Sequence, residues 1–318
     1  MLINPRLAAA ADAIGIAADG RSAEVAGLAL RAEDARELRG TLSLHLYRHL
    51  HAGARPPAAD ATLMPRRRYG TRFEAELHDQ VPHSRTTSHG LLLELDGQDL
   101  VVRLPEITAR ISRDRYVGPG EPRVGEIVEV LLDARRPHVS PGFYYVMGSR
   151  RPVLPDERVR RLFVHITDAR HAPAIWRATL HHLERAEVGY HAKILSDPAA
   201  YPRRDALVVY LTGAPARAEQ ELAEALDGFA GIAPEISAFT EQYRPGISGA
   251  DDPDDPRPGQ TGLSFGQHRS TALATALLHH ATTPGAESRD EVIARVFRQA
   301  RIDPLCPARN LTEDLTHV

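Results

Sequence analysis

The stretch "YHAKILSDPAAYPRRDALVVYL", residues 190–211, decides the architecture of the C-terminal half. "YHAKILS" (190–196) reads as one strand and "ALVVYLT" (206–212) as the next, with "YPRRD" opening the second. Upstream, "RLFVHIT" (161–167) is another strand, and "APAIWRATLHHLERAEV" (172–188) is a helix with Pro173 in its first turn. Ile175, Trp176, Leu180 and Leu183 mark the apolar stripe of that helix. Downstream, "ARAEQELAEALDGF" (216–229) is helical, and further helices fall at about 266–281 and 289–301. Strands and helices alternate, but not cleanly enough for a doubly wound sheet. The loop at 243–263 carries the acidic run "ADDPDDP", which reads as disordered.

The N-terminal half has a different texture. Residues 5–50 read as helical, with Leu28, Leu30, Leu38, Leu42, Leu44 and Leu46 on buried faces and Gly20 and Gly40 as interruptions. Residues 51–65 are a proline- and alanine-rich loop. "LLLELDGQDLVVRL" (91–104) is a hairpin turning at Asp96-Gly97. "GEIVEVLLD" (125–133) and "SPGFYYVMGS" (140–149) supply further strands. The expected fold class is therefore α+β: N-terminal helices, a small antiparallel β-sheet or barrel-like region, and a C-terminal mixed sheet flanked by helices. "RRPVLPDER" (150–158) places a domain boundary between a unit at 1–150 and an α+β unit at 151–318.

Composition removes several function classes. The 318 residues are 42% hydrophobic and 25% charged, as in globular proteins, and the net charge of -3 gives no basic signature for nucleic acid. Cys306 is the only cysteine, so neither an internal disulfide nor a thiolate-rich zinc site is available, and a reducing cytoplasm fits. No apolar run is long enough to span a membrane, and the alanine-rich start makes a better helix than a signal peptide. Lys193 is the only lysine.

The candidate chemistry gathers in three places. Alternation puts Phe163, His165 and Thr167 on one strand face, leaving Leu162, Val164 and Ile166 for the core. A single strand histidine is most often structural; Lys193 in a short apolar strand is costly to bury and most often snorkels from a sheet edge. The two strands are neighbours if they pair across one helix, which would bring His165 and Lys193 onto one face. Arg204 and Arg269 are candidate anion clamps, because a guanidinium fork matches phosphate oxygens; surface salt bridges are the plain alternative. "GLSFGQHRSTALATALLHH" (262–280) sets Ser264, Gly266, His268 and Arg269 at the positive end of a helix, a place suited to anions. Asp205 either orients an arginine or caps the strand.

"SPGFYYVMG", "FVHIT", "KILSDPAAYPRRDALVVYL", "FTEQYRPGIS" and "SFGQHRS" together resemble the HopA-type family of type III secreted effectors. The resemblance runs from about residue 69 to 303. Relatives of that family serve as lyases in class V lanthipeptide biosynthesis, and the order His, Lys, Arg is similar to that of phosphothreonine lyases. Where the family usually has a cysteine after the arginine of "SFGQHRS", this chain has Ser270. The resemblance implies a lyase that eliminates phosphate from phosphoserine or phosphothreonine in a precursor peptide, leaving dehydroalanine or dehydrobutyrine. It implies Lys193 as base and His165 as acid. Arg204, Arg269, Ser264 and His268 would bind phosphate, with Asp205 and Tyr190 in support. It implies no metal and no cofactor. The partners implied are the phosphorylated precursor (leader and core), a separate kinase and a cyclase, with homo- or hetero-oligomers open. The sheet at 69–148 is the expected docking place for a leader or partner. The alternative is a non-catalytic scaffold that holds a phosphopeptide or a protein; a phosphatase would leave a hydroxyl instead of an alkene.

Overall fold

The computed structural model describes residues 2–54, 71–104, 107–137, 139–150, 158–212, 215–283, 285 and 287–311. Helix α1 (Pro5–Asp12) starts at Asn4, whose side chain accepts from the Arg6 and Leu7 N–H groups. Residues 14–31, expected to be helical, instead form a three-stranded antiparallel meander: β1 (Ile14–Ile16), β2 (Ser22–Val25) and β3 (Leu28–Arg31). Two turns override helix propensity there. Gly20 has φ 68°, and Ala26 and Gly27 have φ 52° and 77°. Positive φ at both central residues is what a two-residue hairpin loop requires.

Helix α2 (Ala35–Leu46), capped by Asp34, runs on into a π-helical turn, Tyr47–Ala52, that stops at Gly53 with φ 62°. Helix α3 (Arg72–Asp79) follows. A five-stranded antiparallel sheet comes next: β4 (Arg85–Asp96), β5 (Asp99–Arg103), β6 (Thr108–Ser112), β7 (Tyr116–Val117) and β8 (Ile127–Asp133), ordered β6-β5-β4-β8-β7. It is an open sheet with its own small core of Leu92, Leu100, Val102, Ile111, Val128 and Val130, and it does not close into a barrel.

The remaining elements build the main body. They are β9 (Phe143–Met147), β10 (Arg160–Ile166), α4 (Ala172–Ala186), β11 (Tyr190–Leu195), β12 (Arg203–Leu211), α5 (Pro215–Leu226), β13 (Glu241–Arg244), β14 (Ile247–Asp251), α6 (Phe265–Thr282) and α7 (Arg289–Gln299). Six strands form one sheet in the order β13-β14-β10-β12-β11-β9. Every pairing in it is antiparallel, where a mixed sheet was expected. The strand in "SPGFYYVMGS" is its edge strand β9, not a member of the small sheet. The expected domain boundary falls at 151–157, outside the described residues.

Both faces of the large sheet are covered. One packs Leu162, Val164, Ala192, Leu207 and Val209 against Trp176 and Leu180 of α4 and Leu222 of α5. The other packs Phe163, Val208 and Ala250 against α2, α6 and α7. Central strand β10 is accordingly buried at all seven positions. The acidic loop is folded, not disordered. Asp251 meets Arg160 at 2.7 Å, Asp252 meets Arg161, Asp254 meets Arg301 at 3.3 Å, and Asp255 meets Arg257 at 2.7 Å. Pairing with cations removes the self-repulsion that makes an acidic run unfold. Among the described residues no helix is long and apolar enough to cross a membrane.

Candidate functional site at the sheet face under the π-turn

Strand alternation fixes which residues share the face below α6 and the π-turn. Lys193 pairs with Tyr145 of β9 and Val208 of β12, and Val208 pairs with Phe163 of β10. Period two then puts His165 on this same face. The Cα atoms of His165 and Lys193 are two strands and two residues apart, about 12 Å from ideal strand spacings. The Lys193 ammonium is half-buried and lies 4.7 Å from the Phe143 ring centroid and 5.6 Å from that of Tyr210. Among the described residues it has no hydrogen bond or ion pair. Next to it His191 stacks between Tyr145 and Tyr210, with centroids 5.4 and 4.2 Å away.

His165 sits where the pairing of β10 with β12 is irregular: Val164 faces Leu207 but Ile166 faces Arg203. The extra residues bulge β12 and re-aim Arg203, Arg204 and Asp205. The imidazole Nδ1 is 3.0 Å from the Glu235 carbonyl oxygen, which can only accept, so Nδ1 carries the hydrogen. Burial lowers the pKa of His165, Glu235 opposes this, and Arg204 adds to the lowering. The neutral ring therefore offers a bare Nε2.

Around Asp205 the bulge and the π-turn interlock. Arg203 gives Nε to Asp205 Oδ1 at 2.8 Å and Nη2 to Oδ2 at 2.7 Å. The Tyr47 hydroxyl accepts from Arg203 Nη2 at 2.8 Å and donates to Asp205 Oδ2 at 3.1 Å. Burial alone would raise the Asp205 carboxyl, but Arg203 and its hydrogen bonds outweigh it and hold the group well below the carboxylate range. His51 places Nδ1 3.0 Å from Ser237 Oγ and Nε2 3.8 Å from Asp205. Burial pushes its pKa down to about 4 against the pull of Asp205, so the pair is not an ion pair at neutral pH.

Several expected site residues are committed elsewhere. Arg204 reaches this face, but its Nη1 donates to the carbonyls of His49 and Leu50 at 3.1 and 3.4 Å, and Nε is buried without a partner among the described residues. It thus satisfies carbonyls that the end of a helix leaves open. Gly53 has no side chain because Arg204 fills that space: a Cβ would stand 2.9 Å from Arg204 Nε. Arg269 is fully buried and spends its donors on Pro307 O (2.9 Å), Asn310 Oδ1 (2.9 Å) and His268 Nδ1 (2.7 Å). Burial lowers its pKa to about 9. His268 places Nε2 2.9 Å from Asp255, so it pins the acidic loop to α6. Ser264 and Gln267 form a reciprocal capping box, which accounts for both without a ligand. Tyr190 projects from the opposite sheet face, where its hydroxyl donates to Glu184 at 2.8 Å.

Structure thus puts Lys193, His165, Arg204 and Asp205 on one sheet face, with β12 lying between the strands of His165 and Lys193, and sets Arg269, His268, Ser264 and Tyr190 apart. Sequence reading missed Tyr47, His51 and Phe143 and passed over Arg203 beside the chosen Arg204. The "RRD" triplet was the local signal for Arg203; none existed for the N-terminal residues. Among the described residues no group of three or more His, Cys, Asp and Glu is placed to hold a metal ion.

Fold and site define an α+β protein whose antiparallel central sheet, helix-covered on both faces, carries a cationic, aromatic-lined patch at one edge. Residues 134–309 match the model of the HopA1 effector protein family, more than half of the chain, and the chain belongs to that family. Two solved effector structures are similar to it. One, from Pseudomonas syringae pv. tomato strain DC3000, is 20% identical over 54% of this chain and 63% of its own, with a TM-score of 0.43. The other, from Pseudomonas syringae pv. syringae strain 61, is 16% identical over the same shares, with a TM-score of 0.40. Among curated proteins none matches.

Proposed function

We propose that the protein is a phosphoserine/phosphothreonine lyase acting on a ribosomally made precursor peptide, as in class V lanthipeptide biosynthesis. The observation that carries this reading is Lys193, an amine without an ion partner among the described residues, on the same sheet face as His165, whose Nδ1 is held by the Glu235 carbonyl and whose Nε2 has no partner among those residues. The gap between them matches a lysine and an imidazole reaching for one phosphorylated side chain from two sides.

In the reaction, Lys193 as free amine takes the α-proton of the substrate residue. The Cα–Cβ double bond forms as the Cβ–O bond breaks, and its electron pair leaves with the phosphate. His165, protonated on Nε2 while the phosphate dianion sits beside it, gives its proton to the leaving oxygen. The lysine ends as ammonium and the histidine as neutral imidazole, and both reset by exchange with water. General acid–base assistance of this kind contributes roughly 10²–10⁴-fold per group.

The substrate must arrive already phosphorylated, so a separate kinase precedes this step, and a cyclase that adds thiols to the alkenes follows it. The open five-stranded sheet is the docking place for the leader: it carries a groove of about 510 Å³ lined by His89, Leu91, Arg103, Ile107 and Ile127. The test is incubation with a phosphoserine peptide read by intact mass. Wild type yields the alkene and Lys193→Ala does not. An alcohol product assigns a phosphatase instead. Binding without any product leaves a phosphopeptide-holding scaffold.

A further inference from the structure

The π-turn forms one wall of the site. Tyr47, on its first residue, holds both partners of the Arg203–Asp205 pair, 156 residues away from Arg203 in the chain. A guanidinium has five N–H groups. Asp205 and Tyr47 take the one on Nε and the two on Nη2. Only the pair on Nη1 lacks a partner among the described residues. The guanidinium carbon lies 5.8 Å from the centroid of the Phe143 ring, over which the Lys193 amine also sits at 4.7 Å. One aromatic ring thus borders both the Arg203 guanidinium and the only lysine. The other two arginines considered for this role are engaged with backbone carbonyls, Arg204 at the π-turn and Arg269 at the C-terminal segment. Three bonds to buried or half-buried partners lock the Arg203 rotamer before any ligand arrives, which removes an ordering cost from binding.

We propose that Arg203 contacts the anionic group of the substrate through Nη1, and that Tyr47, from a segment outside the family match, is the positioning residue that aims it. The inference rests on the phosphopeptide reading above and names the contact on which that reading depends.

The experiment compares a fluorescent phosphoserine peptide with its unphosphorylated twin by anisotropy, and elimination is measured in the same samples. Wild type prefers the phosphorylated peptide. Arg203→Gln lowers that preference roughly 10–100-fold. Arg203→Lys, which keeps charge but loses the fork, retains part of it. Tyr47→Phe keeps the ring and lowers the preference roughly 3–10-fold while affinity for the unphosphorylated peptide stays unchanged. A merely structural role would shift Tm and both affinities together; that outcome overturns the proposal, as does an unchanged preference in Arg203→Gln. If Arg203→Gln does not fold, Tyr47→Phe decides alone, and an unchanged preference overturns the proposal. Preference without elimination keeps the Arg203 contact and removes the lyase. Elimination with preference intact in the Arg203 variants does the reverse, and a wild type with no preference removes both.

Discussion

Gly266, on the first turn of α6, lies flat against the imidazole of His51 in the π-turn, 215 residues earlier in the chain. A Cβ on Gly266 would stand 2.6 Å from the ring's Cγ and closer still to Cδ2. This contact explains the glycine in "SFGQHRS" better than close approach of an anion does. Elsewhere in a helix, Gly→Ala gains about 0.5–1 kcal/mol. Here overpacking wins: Gly266→Ala is expected to cost about 1–3 kcal/mol. Gly40 in α2 has nothing within 4 Å of its virtual Cβ, so Gly40→Ala is expected to stabilise. Opposite shifts of Tm in the two variants are the check.

His51 gives the fold a sensitivity to acid. Its folded pKa, about 4, lies below the ordinary 6.5 because burial disfavours the charged ring. Between those values the unfolded chain binds more protons, so stability falls as pH drops from about 6.5 to about 4. At about 1.4 kcal/mol per unit the loss is on the order of 3 kcal/mol. His165, also lowered, acts in the same sense, and Asp205 adds a further loss at still lower pH, where its carboxylate is protonated. Denaturant melts across that range should steepen for wild type and flatten for His51→Phe, which retains ring contacts with Phe163 and Phe265.

Asp255 ties the acidic loop to α6 through His268 and Arg257 and is itself buried. Asp255→Asn leaves a buried imidazole and an arginine short of a carboxylate, at an expected cost of about 1–3 kcal/mol. Limited proteolysis should then cut within 252–257, where wild type resists.

On the proposed lyase reading, replacing His165 separates the acid from the base. His165→Gln is expected to slow elimination roughly 10²–10⁴-fold with little change in phosphopeptide affinity. Lys193→Ala should abolish it. Single-turnover rates alongside anisotropy distinguish a slowed step from lost binding.

The five-stranded sheet enters and leaves the body at one seam: the Ala134 N–H donates to the Ser84 carbonyl at 3.0 Å. Excising 85–133 with a short glycine link keeps all six strands of the main sheet. Removing 69–148, by contrast, would take β9 as well. The excised protein should process a short phosphopeptide and fail on the full precursor. Equal activity on both would show that the sheet does not dock the leader.

Local patterns carried much of this into the sequence. Period-two alternation was enough to put Phe163 and His165 on one face, and the odd spacing between Tyr190 and Lys193 already sends those two to opposite faces. The S-x-x-Q spacing of Ser264 and Gln267 is a capping box before it is anything else. What could not be read was long-range. Arg269 looks like an anion clamp until residues 307–310 are seen folded over it, and nothing near Tyr47 announces Asp205. The meander at 14–31 was hidden by alanines and leucines that suit a helix, although Ala26-Gly27 supplied the turn that prevents one.

Lys193, resting on Phe143 and Tyr210, is the one side-chain primary amine in 318 residues. Acylating or reductively alkylating reagents therefore find a single lysine target, and its rate of labelling becomes a direct meter of what covers that ring pair. Few sheet faces come with so specific a built-in reporter.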